Sequence, residues 1–440
     1  MFSKAPNYLR YMPYDELLED CRKKNFGKEL FLGSSEEKRA IIGFKIGYGN
    51  RFAIIYGQPH AEEVVGTLTV NYLLQELKYQ EDLLKKWSIL LIPTVDPDGL
   101  ELNKTWISRT FDPELFILNH YHRPDNKDID WTFPIKTKNY RFNKPTKETK
   151  ILMKLIKELR PLFYASLHCI HFAAAHFYAT EFNEQLFNDI ANYINQETDI
   201  PLQKGETFFA EKEWQYRDGF YKFYGTRDQL ECINDTEILK KLRRGECAPV
   251  YYKDKVPNGF ALVPEVPMLY SDELINTEKS NKTVKEVKIK GNEILLEAVE
   301  KVEMYWQMWK KYFNKKHHQY MKIKEIATSW KDEILVEIRE LHALKEKKVA
   351  LKNEVYSNET IVKYNNCLIF GQLYQLVDNS TKIPTSQKEK IKDELITEIR
   401  KIRNEVMKQG KIKIGKINDL VRIQAFSLIR ALKLQKGLRT

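Results

Sequence analysis

The sequence predicts an α/β fold, a central sheet flanked by helices, followed by a separate all-α region. Three observations carry this. An apolar run, Phe52 to Tyr56, reads as a buried strand. A segment of helical spacing, VVGTLTVNYLLQELKYQEDLLKKW, leads from it to a second apolar run, Ile89 to Ile92. Strand, helix and strand in that order imply a unit with parallel strands. The third observation is a change of texture near residue 281. Gly and Pro nearly vanish there, and Lys, Glu, Ile and Leu dominate.

Taken in order, the chain opens with a helix, Tyr14 to Lys24, and two strands, Glu29 to Gly33 and Ala40 to Ile46. With the Phe52 strand these read as a sheet edge. Gly57 and Pro59 end the Phe52 strand. Residues 103–143 lack clean periodicity and are rich in Asn, Asp, Pro and aromatics, which predicts a long ordered loop. A helix follows with Thr146 near its cap and Pro161 beyond its end. Leu162 to Leu167 is a strand ending at His168; HFYAT pairs beside it, and a helix runs from Glu184 to Gln196. Residues 200–248 are polar, and GFALVPEVPMLY supplies the closing strand. Beyond it, helical patterns cover Val284–Phe313, Lys322–Val355, Ile361–Val377, Ser386–Gln409 and Asn418–Gln435. These predict a bundle-like domain over residues 281–440, with residues 1–280 folding alone.

Composition excludes several classes. The longest apolar runs fall short of the roughly 20 residues a membrane span needs. The N-terminal segment has no apolar core of signal-peptide type, so a cytoplasmic location is expected and a membrane partner is not. Five scattered cysteines without zinc-finger spacing predict free thiols rather than a disulfide framework. The net charge of +11 is concentrated late: residues 281–440 carry 34 Lys and Arg against 20 Asp and Glu. An anionic partner, or an oligomer built through these helices, is therefore open.

The chemistry centres on the turn that leaves the Phe52 strand. His60 and Glu63 are three residues apart, so one helical turn puts them on the same face. An imidazole and a carboxylate so placed can hold one metal ion, and zinc accepts both. Two ligands are too few, so the chain must supply another. The strand ends in SLH, and His168, His171 and His176 all follow closely. Alternation along a strand turns His171 away from His168.

Further pieces line up along the chain: PTVDPDG after the Ile89 strand, DIDWTFP in the loop, KPTKE before a helix, SLH at His168, and PEVP at Glu265. With the His60–Glu63 pair, this succession resembles the M14 family of zinc carboxypeptidases over about residues 30–270. The resemblance implies a mixed central sheet flanked by helices and Zn2+ as cofactor. It implies His60, Glu63 and His168 as metal ligands, Glu265 as general base, and Asp128 as the carboxylate behind a ligand histidine. Three protein ligands leave a fourth position open for catalysis. Arg123 is the match for an arginine that stabilises the oxyanion, with Arg109 as competitor. Tyr251 or Tyr252 would stand near the substrate.

One departure stands out. Asp130 and Trp131 replace the family's Asn and Arg, which grip the substrate's terminal carboxylate. Trp131 cannot form a bidentate ion pair with a carboxylate. The expectation is a metallopeptidase-like hydrolase of peptide or amide bonds with non-standard substrate recognition. The alternative is an impaired scaffold whose basic helices bind nucleic acid or an anionic protein.

Overall fold

The computed structural model describes residues 2–205, 214–232, 242–345 and 347–435. Ten strands form one mixed sheet. In chain order they are β1 (Lys28–Ser34), β2 (Ala40–Ile46), β3 (Arg51–Gly57), β4 (Trp87–Ile92), β5 (Phe163–Phe172), β6 (His176–Ala179), β7 (Gln215–Arg217), β8 (Phe220–Lys222), β9 (Phe260–Tyr270) and β10 (Lys413–Ile414). Across the sheet the order is β1-β2-β4-β3-β5-β9-β6-β8-β7, and β10 pairs with the end of β9. The centre is parallel: β3 with β4 and β5, and β5 with β9. The antiparallel β1 and β2 form one edge, with β2 pairing β4.

Helices cover both faces, as a parallel centre requires. The main ones are α1 (Tyr14–Lys24), α2 (Val65–Glu76), α3 (Lys147–Leu159), α4 (Glu184–Glu197), α5 (Val284–Trp309), α6 (Val362–Asp378), α7 (Thr385–Gln409) and α8 (Ile417–Leu434). Side chains alternate faces along a strand. Ala53 and Ile55 join a core with residues of α2, α4 and α8, whereas Ile54 and Tyr56 pack with Leu152 and Ile156 of α3. The hydroxyl of Thr146 caps α3 by accepting from the Thr149 amide. Cys21, Cys169, Cys247 and Cys367 are free and buried. Among the described residues no helix is long and apolar enough to cross a membrane.

The late helices differ from expectation in one place. The pattern over Lys322–Val355 is not one helix. It breaks into Tyr320–Glu325, a π-helical turn Ile326–Trp330 and Lys331–Ala343. Val349–Leu351 then forms a strand against Lys279–Thr283. Pairing with a free strand wins over helix propensity where Val349 brings a β-branched side chain.

The boundary expected at residue 280 does not coincide with a break in packing. Helices α5, α6 and α7 pack on one another, but the chain then returns to the sheet. β10 pairs with β9, and α8 packs on α2, α4 and β9. Leu420, Val421, Ile423 and Leu428 of α8 are fully buried in the sheet's own core. Residues 284–409 are therefore an excursion, and α8 completes the layer over α2. A chain ended near residue 280 is expected to be insoluble, because it bares the α2 and α4 faces. Expression of residues 1–280 checks this; a soluble, folded product would show that α8 is dispensable.

Candidate metal centre

The site lies past the carboxyl end of β3, where open α/β sheets place ligands, against the stretches of β5 and β9 that run on beyond it. The turn after β3 is held tightly. Gln58 takes a left-handed conformation, with φ of 58°. Its amide donates to the Ala61 carbonyl at 2.7 Å, and the Thr94 hydroxyl donates to its oxygen. Helix α2 starts close against the sheet. A Cβ on Gly66 would meet the Leu167 carbonyl oxygen at 2.6 Å, so only glycine allows this approach. Gly57 pairs with Leu167, and the His60 turn and His168 thus emerge side by side. His168 pairs with Glu265 across β5 and β9, which puts their side chains next to each other on the same face.

The side chains converge accordingly. His168 Nδ1 lies 3.0 Å from Glu63 Oε2 and 3.6 Å from Glu265 Oε1. The His60 and His168 ring centres are 5.1 Å apart. Behind His60, Asp128 Oδ2 faces Nδ1 at 2.7 Å. The other oxygen of Asp128 accepts from the amides of Asp130, at 2.9 Å, and Trp131, at 3.3 Å. A carboxylate so fixed accepts a hydrogen bond from Nδ1–H and leaves Nε2 of His60 as a lone-pair donor. Ser166 Oγ stands 3.1 Å from His168 Nε2. With Nε2–H donating there, Nδ1 is left to face the acids.

Among the described residues two groups of metal-competent donors result, and His168 belongs to both: His60, Asp130 and His168; and Glu63, His168 and Glu265. His60 and Glu63, expected to share one ion with His168, fall in different groups. Asp130, expected to meet substrate, is only 4 % exposed and stands among the donors, with the Tyr56 hydroxyl 3.4 Å away.

The electrostatics suit a cation. Glu63, Asp128, Asp130 and Glu265 gather around two imidazoles. Burial, then the nearby Glu63 and Asp130, pushes Glu265 up to about 8, although both histidines pull it down. Burial also raises Asp130. Burial by itself would lower His168, but Glu63 and Glu265 outweigh it and hold it at about 8. Glu265 Oε2 is buried with no hydrogen-bond partner. A surplus of buried carboxylate charge and an unpartnered carboxylate oxygen are what a divalent cation neutralises, and His/Glu/Asp donors are those zinc takes. The residues therefore fit a zinc ion.

A sequence model of the zinc carboxypeptidases, peptidase family M14, matches residues 19–238, half of the 440-residue chain. The chain belongs to this family. No curated protein matches it in sequence. Among solved structures, bovine thrombin-activatable fibrinolysis inhibitor is 14% identical, covering 58% of this chain and 86% of its own, with a TM-score of 0.39. Carboxypeptidase A of Helicoverpa armigera is 14% identical, covering 59% of this chain and 65% of its own, with a TM-score of 0.38. A metallo-carboxypeptidase of Burkholderia cenocepacia is 12% identical, covering 57% and 58%, with a TM-score of 0.32. Glu265 lies beyond the matched span, so its place rests on the register with His168.

Other expected residues of this zinc carboxypeptidase family member lie elsewhere. Arg123, expected to stabilise an oxyanion, is instead committed to a buried ion pair. Its Nε and Nη2 donate to Asp96 at 2.6 and 2.5 Å, with Glu148 at 3.9 Å. A guanidinium so paired cannot turn to substrate without leaving Asp96 buried and uncompensated. Arg109 is exposed. Trp131 is half-buried and carries the Arg244 guanidinium over its ring at 5.0 Å. Tyr251 lies tilted against Phe133, with ring centres 4.9 Å apart. Tyr252 is fully buried, donating to the Pro161 carbonyl. His171 does not join the donors; its Nε2 faces Glu62 Oε1 at 3.5 Å. His176 donates from Nδ1 to the Ala174 carbonyl and is held neutral, at about 4, mainly by burial.

Sequence reasoning passed over Glu62, His122 and Gln424. Glu62 is buried and accepts from His122 Nδ1 at 2.6 Å. Gln424 donates to the His168 carbonyl at 2.7 Å. None of these has a spacing signal, because each partner is dozens to hundreds of residues away.

Proposed function

We propose that this protein is a zinc-dependent hydrolase of a peptide or amide bond in which Glu265 is the general base. The observation that supports this most is the register of β5 and β9, which sets Glu265 beside His168, its Oε1 3.6 Å from Nδ1 and its Oε2 buried without a hydrogen-bond partner. His60, His168 and Glu63 would hold the ion, with Asp130 as a further carboxylate donor. Zinc in such a site supplies Lewis-acid polarisation of the scissile carbonyl and acidifies water. Glu265 would accept the water's proton and return it to the leaving amine. Asp128 keeps His60 in one tautomer throughout. Ser166 does the same for His168.

Substrate recognition is non-standard in this reading. Trp131 stands where the family's carboxylate-gripping arginine would be, and Arg244, whose guanidinium lies over its ring, also donates to Gln229. Losing a charge-assisted hydrogen bond costs about 1.5–3 kcal/mol, roughly ten- to a hundredfold in selectivity. The zinc-loaded protein is therefore expected to cleave a peptide and its C-terminally amidated form at similar rates, in a paired digestion followed by mass spectrometry. A strong preference for the free carboxylate would show that Arg244 or another arginine has rebuilt the grip. Cleavage of neither would favour the alternative, a scaffold whose basic helices meet an anionic partner. Lys311, Lys315 and Lys316, exposed in the turn after α5, support that alternative.

A further inference from the structure

The last helix reaches the peptide bond that carries His168. Gln424 of α8 is fully buried, as is Thr69 of α2. The Thr69 hydroxyl donates to Gln424 Oε1 at 2.6 Å, and Gln424 Nε2 donates to the His168 carbonyl at 2.7 Å. On the same peptide unit, the Cys169 amide donates to Glu63 Oε2 at 3.2 Å. One peptide plane is thus held at both ends, by a ligand carboxylate on one side and by Gln424 on the other. A buried amide placed among Val421, Leu428 and the apolar face of α2 is costly unless its polar atoms are used. A leucine would fill the space without that cost.

The elements joined are the two that bear the expected ligands. Helix α2 starts directly after the His60–Glu63 turn, and β5 carries His168 one residue past the last pair it makes with β3. We propose that Gln424 is a positioning residue of the metal centre. It ties α2 to β5 through Thr69 and the His168 carbonyl, and so fixes the direction in which the His168 ring enters the site. The excursion of 284–409 acts in the same sense at the third segment. Gln319 and Gln375 both donate to the His120 carbonyl, at 2.8 and 2.9 Å, and Gln372 contacts His120 Nε2 at 3.1 Å. His120 leads into the loop that carries Asp128 and Asp130. A ligand set must be held within about 0.5 Å and 10–20° of its working geometry, and at His168 the pairing with β3 has already ended, so that only β9 flanks it in the sheet.

The proposal rests on the metal reading above, and the experiment separates the two. Zinc affinity by competition with a chromophoric chelator, and the visible spectrum of the cobalt(II)-substituted full-length protein, are measured for wild type and for Gln424→Leu, Thr69→Val, Thr69→Ser and Ser427→Ala. Ser427 is buried on the same helix and, among the described residues, its hydroxyl bonds to the Ile423 carbonyl of that helix, so its variant reports general loosening of α8. Gln424→Leu should weaken zinc binding about 10- to 100-fold, the usual effect of losing a partner behind a ligand, and should shift the cobalt bands. Thr69→Val should move both readouts in the same direction, and Thr69→Ser should restore them. Ser427→Ala should leave both at wild-type values. Should Gln424→Leu not fold, the Thr69 pair alone decides. Unchanged affinity and spectrum in Gln424→Leu or Thr69→Val overturn the proposal, as does an equal loss in Ser427→Ala. A wild-type chain that takes up no zinc overturns the metal reading, and this proposal with it.

Discussion

Glu265→Gln is expected to keep the fold and the metal and to lose at least about a hundredfold in turnover, since general acid–base catalysis typically contributes 10²–10⁴-fold. The change replaces one oxygen of a side chain that pairs across the sheet with His168. It alters neither volume nor β9. Glu265 Oε2 has no hydrogen-bond partner, so an amide there strips no bond from a neighbour. What is lost is the capacity to accept a proton. Hydrolysis of a peptide substrate measured beside zinc content checks this. Near-normal turnover with full zinc would assign the base to another carboxylate, of which Asp130 is the closest in kind.

His60→Ala and His168→Ala are expected to abolish tight zinc binding and all hydrolysis with it. The two act differently. His168 takes part in both donor groups, so its loss dismantles both. Removing His60 also frees Asp128, whose second oxygen remains held by the Asp130 and Trp131 amides. A buried carboxylate then loses its imidazole partner, and His60→Ala is expected to lower thermal stability as well. Metal analysis and a melting curve read both effects. Full zinc in either variant would mean that the donors are drawn from other residues.

Much of the site was legible because its polar residues follow or interrupt the apolar runs of the strands: His60 and Glu63 follow β3, and His168 and Glu265 lie within β5 and β9. His60, Glu63, His168 and Glu265 all occupy such positions, and two parallel ladders suffice to bring them together. Arg123 shows the limit of that reading. Its neighbours in the chain place it near Asp128, but its guanidinium answers to Asp96, far earlier in sequence. Asp130 shows another limit: as one of two departures from a motif it reads as a substrate contact, and only the fold sets it among the donors. The late helices were read in approximate extent, except over Lys322–Val355, yet their role was hidden. Composition separates residues after 280 from those before, whereas packing joins α8 to α2 through buried apolar side chains and through Gln424. A change in texture marks where the chain changes solvent exposure and charge, not where a core ends.

The central claim is that the donors around His168 hold a zinc ion that the hydrolytic chemistry requires. Its most direct test is metal analysis of the purified full-length protein, followed by a peptide-hydrolysis assay before chelation, after chelation and after zinc is restored. The account predicts about one zinc per chain, loss of hydrolysis on chelation, and recovery with zinc. A chain that binds no zinc, or one that hydrolyses peptides equally well without it, would contradict the account.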